Sequence, residues 1–195
     1  MEIKIAEKSF KVHKGVISFY SGFFDRAFNG EFAEGKSGVV TLQGEETNIF
    51  ERFVAWIYSR RIEDDGPKQS FALLCKLWCL GDRREAPLLM NACLDAMKDK
   101  VVRTWVVPTP EMAFIYENTT PNAGLRRFAR DVVAKTGGAW LLDPPAKWNE
   151  EALKDMLRTV WPLDHSKNYT KVTLAKIAMC EYHHHEEGVK CPKET

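Results

Sequence analysis

The sequence predicts an α+β chain: a small strand-bearing domain followed by helices. Apolar–polar alternation is confined to short stretches ending at Leu42, and from there the apolar spacing is helical. Strands come first and helices afterwards, which is the order of an α+β rather than an alternating α/β architecture.

Ile3 and Ile5 alternate with Glu2 and Lys4, and Phe10 and Val12 alternate with Ser9 and Lys11, giving two short strands joined by a turn near Glu7-Lys8. Helical spacing takes over at Val16, Ile17 and Tyr20 and continues through Phe23, Phe24, Ala27 and Phe28. Gly30 and Gly35 break it, and Val39 to Leu42 supplies a third strand. Thr47 can cap a helix from Asn48 to Ser59 by accepting a bond from a first-turn amide. Ile49, Phe50, Phe53, Trp56 and Ile57 give that helix a broad apolar face. Asp64-Asp65-Gly66-Pro67 reads as a turn or loop. Phe71 to Leu80 is apolar almost all round and predicts a centrally buried helix. Pro87 suits the first turn of the next helix, which carries Leu88, Leu89, Ala92, Cys93, Ala96 and Met97 and closes the domain near Lys100.

Beyond that point the pattern is helical. Thr109-Pro110-Glu111 combines a cap, a first-turn proline and an acid at the positive helix end. Leu125, Phe128, Ala129, Val132 and Val133 line a second helix closed by Gly137-Gly138. Asn149-Glu150-Glu151 opens a third, with Leu153, Met156, Leu157 and Val160, stopped at Pro162. A last helix is expected from Lys171 to Cys180, before a polar tail. The organisation is therefore a domain over 1–100, a helical extension over 101–180 and a Cys/His-containing tail over 181–195.

Of 195 residues, 45% are hydrophobic and 28% charged, and the net charge is +1. That is the balance of a globular protein with a real core. It lacks the basic excess of a general nucleic-acid surface, so nucleic acid is not an expected partner. The pairs Arg60-Arg61, Arg83-Arg84 and Arg126-Arg127 read as solvated helix ends and faces. No stretch approaches the roughly 20 apolar residues of a membrane span. The N-terminus has no signal-peptide core, so the sequons at Asn118 and Asn168 read as chance matches. Five cysteines, an odd number, fit a reducing intracellular compartment, cytoplasm or nucleus. Cys75 and Cys79 lie one turn apart on the apolar helix and read as core.

Several motif words occur together: Phe10-Lys11-Val12-His13-Lys14, Ser21-Gly22-Phe23-Phe24, Phe50 through Tyr58, Leu77-Trp78-Cys79-Leu80-Gly81-Asp82 and Met90-Asn91-Ala92. In this order they resemble the BTB/POZ domain over Met1 to Asp99. The region from Thr109 to Phe128 resembles the helical extension of fungal BTB proteins. The resemblance implies a BTB/POZ fold, a small mostly antiparallel sheet flanked by helices, and a protein–protein interaction module rather than an enzyme. It also implies self-association. This chain reaches its first strand at Met1, without the acidic residue and exchanged helix that usually precede it, so a weaker dimer or a monomer is expected.

Many BTB proteins are substrate adaptors for cullin-3 ubiquitin ligases and carry a hydrophobic-x-Glu motif after the helix with paired aromatics. Phe32-Ala33-Glu34 falls at that place. An exposed Phe32 could fill a pocket while Glu34 fixes register; the other reading is a loop anchored by an inward Phe32 beside a solvated Glu34. His13, between a strand and a helix and with no acid or nucleophile near it in sequence, reads as a structural hydrogen-bonding residue.

One cluster carries metal chemistry. The segment from Cys180 to Cys191 holds two of the five cysteines and three of the five histidines. Cys180, His183, His185 and Cys191 make the neatest tetrahedral zinc set, because alternate residues of an extended segment share a face. The spacing matches no standard zinc finger, and a solvated tail or a plain helix end remains the competing reading. Three functions follow: an interaction module, a zinc-binding or nucleic-acid-associated regulator using the Cys/His tail, or an enzyme. The last is disfavoured, since the sequence shows no phosphate-binding glycine loop and no nucleophile elbow.

Overall fold

Strand β1 (Glu2–Ile5) lies at the middle of a three-stranded sheet, pairing antiparallel with β2 (Lys8–Lys11) and parallel with β3 (Val39–Leu42). The register sets Ile3 opposite Phe10 and Val40, and Ile5 opposite Leu42. With a side-chain period of two, these residues fall on one face and are buried, while Lys4, Ser9 and Thr41 face outward. The computed structural model describes residues 1–31, 33–62, 70–137, 148–163, 169–186, 189 and 191. The expected turn at 64–67 lies outside them.

A parallel pair needs a crossover, and three short helices supply it: α1 (Lys14–Tyr20), α2 (Gly22–Asn29) and α3 (Ala33–Ser37). The helical spacing from Val16 to Phe28 is thus two helices, broken at Ser21. The Ser21 backbone is extended, so it ends α1, and its hydroxyl accepts from the Phe24 amide at 3.2 Å to cap α2. The same hydroxyl donates to the Arg84 carbonyl, tying this corner to the end of α5 (Phe71–Arg83).

α4 (Thr47–Ser59) begins one residue earlier than expected: its cap is Glu46, whose carboxylate pairs with Lys76 at 2.8 Å instead of capping. Its apolar face, Ile49, Phe50, Phe53, Trp56 and Ile57, is buried as its periodicity predicts. α5 is capped by Ser70 and buries Leu74, Cys75, Leu77, Trp78, Cys79 and Leu80, so it is the central helix. Burial raises the Cys79 thiol to about 11, which makes it core material rather than a nucleophile. α6 begins at Pro87 and runs to Thr104.

The chain divides into two compact units, Met1–Cys93 and Leu94–Thr195, and the division falls within α6. The second unit is helical: α7 (Met112–Asn118), α8 (Gly124–Thr136), α9 (Glu150–Val160) and α10 (Lys171–Ala175), with single 3₁₀ turns at Thr109–Glu111 and Met179–Glu181. α7, α8 and α9 pack on one another around Met112, Ile115, Leu125, Phe128, Val132 and Ala152. Asn149 caps α9 by accepting from the Ala152 amide at 2.9 Å. The last helix stops at Ala175, so Cys180 stands on the 3₁₀ turn rather than on a helix end. Among the described residues, no helix is long and apolar enough to cross a membrane.

The arginine pairs are only partly the solvated ends expected of them. Arg126 is 2% exposed, because α7 needs its guanidinium to close its C-terminal carbonyls. Arg83 and Arg84 both bind Glu45, whose side chain is only 4% exposed. Burial works to raise the Glu45 pKa, but hydrogen bonds and charge from the two guanidiniums outweigh it and leave the carboxyl below its ordinary value of 4.5. A carboxyl depressed by folding stabilises the protein above its unfolded pKa, and that contribution disappears as pH falls through the folded value. Glu45→Gln should therefore cost about 1–3 kcal/mol at neutral pH. In urea titrations the difference from wild type should narrow as pH is lowered below 4.5; a difference independent of pH would contradict the charge assignment.

Candidate functional site

The residues singled out by sequence chemistry lie in two places, one in each unit. In the first unit, the segment joining α2 to β3 holds Phe32-Ala33-Glu34. Phe32 lies outside the described residues. Glu34 occupies the first turn of α3, half-buried, and its carbonyl accepts from the Gly38 amide at 2.8 Å. Gly35 is required here by close approach: a Cβ would sit 2.5 Å from the Gly30 carbonyl oxygen, so a larger residue would push the segment off α2.

Around α1 the same unit exposes aromatic surface. Phe19 is 74% exposed and meets Tyr20 edge-on at 4.9 Å. Arg60, in a left-handed conformation at the end of α4, lays its guanidinium 4.5 Å from the Tyr20 ring centre and 4.4 Å from that of Trp56. His13 is positioned as a structural residue: its Nδ1 lies 2.9 Å from the Tyr58 hydroxyl, and its backbone amide donates to the same oxygen at 3.0 Å. Both contacts pin the start of α1 against α4.

In the second unit three of the four Cys/His residues cluster, and His183 adjoins them through Cys191. The ligand atoms of Cys180, His185 and Cys191 lie within 4.8 Å of one another. Cys180 Sγ is 3.3 Å from His185 Nε2, and Cys191 Sγ is 3.6 Å from His183 Nδ1. The His183 and His185 ring centres lie 5.7 Å apart, while His184 between them is exposed, as the alternation predicts. Local backbone bonds make this possible. The Tyr182 and His183 amides both donate to the Met179 carbonyl, which sets the 3₁₀ turn, and the Val189 amide donates to the Glu186 carbonyl. None of the five cysteines is in a disulfide.

Among the described residues of this segment, Tyr182 and Cys191 are buried rather than solvated. Tyr182 is 3% exposed, packs edge-on against Phe128 at 5.5 Å and places its hydroxyl 3.2 Å from Asp131. Gly124, which opens α8, is there because nothing larger fits: a Cβ would lie 2.1 Å from the Tyr182 carbonyl oxygen. Cys191 is 3% exposed.

Sequence reasoning misses Asp95, on α6. Its Oδ1 lies 3.1 Å from His183 Nε2, so the imidazole stands between a carboxylate and the Cys191 thiol. Burial works to lower the His183 pKa, but the bonds to Asp95 and Cys191 outweigh it and the net shift is upward. The 88 residues separating the pair leave no local signal that could reveal it. A carboxylate–imidazole–thiol order can also activate a nucleophile. Cys191 is too buried for that work, and a second thiol and imidazole stand beside it, so ligation is the chemistry the cluster offers.

Against models of protein families, residues 1–99 match the BTB/POZ domain. No curated protein matches the chain. The matched stretch takes in the three-stranded sheet, the crossover helices and the buried central helix described above. The chain belongs to the BTB/POZ family, whose domain is a protein–protein interaction module.

Proposed function

We propose that the protein is an adaptor: its BTB/POZ unit docks on a cullin-3-type scaffold through Phe32 and Glu34, and its helical unit recruits the client. The observation that carries this reading is the position of Glu34, held by the Gly30–Gly35 contact in the first turn of a short helix that follows α2, the helix with the paired aromatics Phe23 and Phe24. A carboxylate on a fixed backbone beside an aromatic is the composition of an interface anchor: the ring supplies buried area and the charge supplies register. The helical unit adds a surface suited to a client, because Leu153 and Leu157 on α9 and Trp161 at its C-cap recur at i, i+4 and i+8 and are all exposed, Trp161 at 86%.

The test is titration calorimetry with the N-terminal domain of cullin-3. Wild type should bind in the micromolar range or tighter, and Phe32→Ala and Glu34→Lys should each weaken it by about tenfold or more, the effect of losing an interface anchor. No binding at high concentration would remove cullin-3 as the partner. Binding unchanged by both substitutions would move the interface elsewhere, with the aromatic surface around Phe19 the next to substitute.

A further inference from the structure

We propose that Cys180, His183, His185 and Cys191 form a structural zinc site that closes the second unit, with Asp95 orienting His183. Zinc in structural sites takes four thiolate or imidazole ligands in a tetrahedron, with bonds of about 2.3 Å to sulfur and 2.0–2.1 Å to nitrogen. Those bond lengths put sulfur and nitrogen ligands about 3.6 Å apart along each edge and two sulfurs about 3.8 Å apart. The two sulfur–nitrogen edges here are 3.3 and 3.6 Å, one between Cys180 and His185 and the other between Cys191 and His183. Cys180, His185 and Cys191 fall within 4.8 Å of one another, and His183 adjoins that trio through Cys191, so a modest shift of its ring would supply the fourth ligand.

The second argument is the order of groups around His183. A histidine that binds metal through one nitrogen gives its other N–H to a carboxylate or carbonyl, which fixes the ring and raises its basicity. His183 has Nδ1 toward Cys191 and Nε2 toward Asp95, and its side chain is only 3% exposed. The tautomer that donates from Nε2 to Asp95 leaves the Nδ1 lone pair directed at the cluster. Two buried or half-buried thiols clustered with one imidazole, and a second imidazole beside Cys191, form without a disulfide a donor set that favours zinc over the hard cations, which prefer oxygen.

The third concerns purpose. Four protein ligands complete the tetrahedron and leave no open position for substrate, so the site is structural. The cluster joins the 3₁₀ turn at Cys180 to the returning chain at Cys191, while Asp95 ties it to α6 and Tyr182 seats it beside Phe128. Zinc would thus fasten the C-terminal segment onto the helices of its own unit, much as a disulfide does in an oxidising compartment.

The test uses the full chain, purified without a metal-affinity resin from cells grown with zinc. Elemental analysis should give one zinc per chain. Replacement by cobalt(II) should give the intense visible absorption of a tetrahedral ion together with a thiolate charge-transfer band. Cys180→Ser and His185→Asn should lose the metal, whereas His184→Asn, on the exposed ring between two ligands, should keep it. Asp95→Asn should still bind one zinc but surrender it to a competing chelator at an affinity about 10–100-fold weaker, the loss typical of an outer-shell partner. Zinc well below one per chain together with a failure to bind cobalt would overturn the proposal. So would a chain two hydrogens lighter with Cys180 joined to Cys191, or loss of metal on His184→Asn comparable to that on His185→Asn. Because the wild-type metal content and cobalt spectrum decide the matter, a variant that fails to fold does not shield the proposal from refutation.

Discussion

Replacing Phe24 with alanine should destabilise the BTB/POZ unit by about 3–5 kcal/mol, the range for removing a fully buried ring. Phe24 has no exposed surface and is the hub of an aromatic cluster. It stacks on Phe28 at 6.0 Å and Phe53 at 6.3 Å, and meets Phe23 at 5.0 Å and Phe50 at 6.1 Å edge-on. These neighbours belong to α2 and α4, so the cavity would open where the crossover packs on the long amphipathic helix. Such neighbours relax only partly, and the lost ring contacts add to the transfer free energy of the missing carbons. Urea denaturation followed by fluorescence would measure the loss. A cost below about 1 kcal/mol, typical of surface substitutions, would mean that the ring is not packed as described. Phe19→Ala is the control: it carries a ring of the same size but is 74% exposed, and should change stability by less than about 0.5 kcal/mol.

That contrast shows how far the fold could be read from the chain. Phe24 belongs to a helical apolar stripe, and Ile3, Ile5 and Phe10 to an alternating one, so period alone assigned them to strand, helix and core. Two other signals worked as well: apolar residues almost all round made Phe71 to Leu80 the central helix, and the first-turn preference of proline set α6 to begin at Pro87. What period could not show was a break without a helix breaker. Ser21 divides α1 from α2 because its hydroxyl is used twice, once by the Phe24 amide and once by the Arg84 carbonyl, and the second partner lies 63 residues away. The four Cys/His residues were legible because they are few, chemically distinctive and close in sequence. Asp95 was not: an acid on a helix looks the same whether it faces water or a histidine 88 residues on. Charge was misread at Arg126 for a related reason, since an arginine beside an arginine suggests a wet surface and only the neighbouring helix end explains its burial.

Arg126→Met should cost the helical unit about 2–4 kcal/mol, because it takes the guanidinium away from carbonyls at the end of α7. The last carbonyls of a helix have no partner within it, and α7 ends at Asn118 with those of Tyr116 and Thr119 turned toward α8. Arg126 Nη2 donates to both, at 2.7 Å for Tyr116, while Nε donates to the Thr119 hydroxyl at 3.1 Å. Nη1 binds Glu151 in the first turn of α9, and the guanidinium lies 4.3 Å from the Tyr116 ring centre. One side chain thus caps α7, leaves from α8 and anchors α9. Methionine keeps much of the stem and its packing, so the measured loss isolates the polar head. Glu151 is half-exposed and can return to water, so the cost arises mainly from the buried carbonyls and not from an orphaned charge. Two substitutions separate these contributions. Glu151→Gln should cost under about 1 kcal/mol, the value of a pair with one exposed partner. Arg126→Lys should recover less than half of the methionine loss, because an ammonium supplies a positive charge for the helix end but cannot span three acceptors from one plane. If lysine restored wild-type stability, net charge at the helix end rather than the guanidinium fork would be holding α7 to α8.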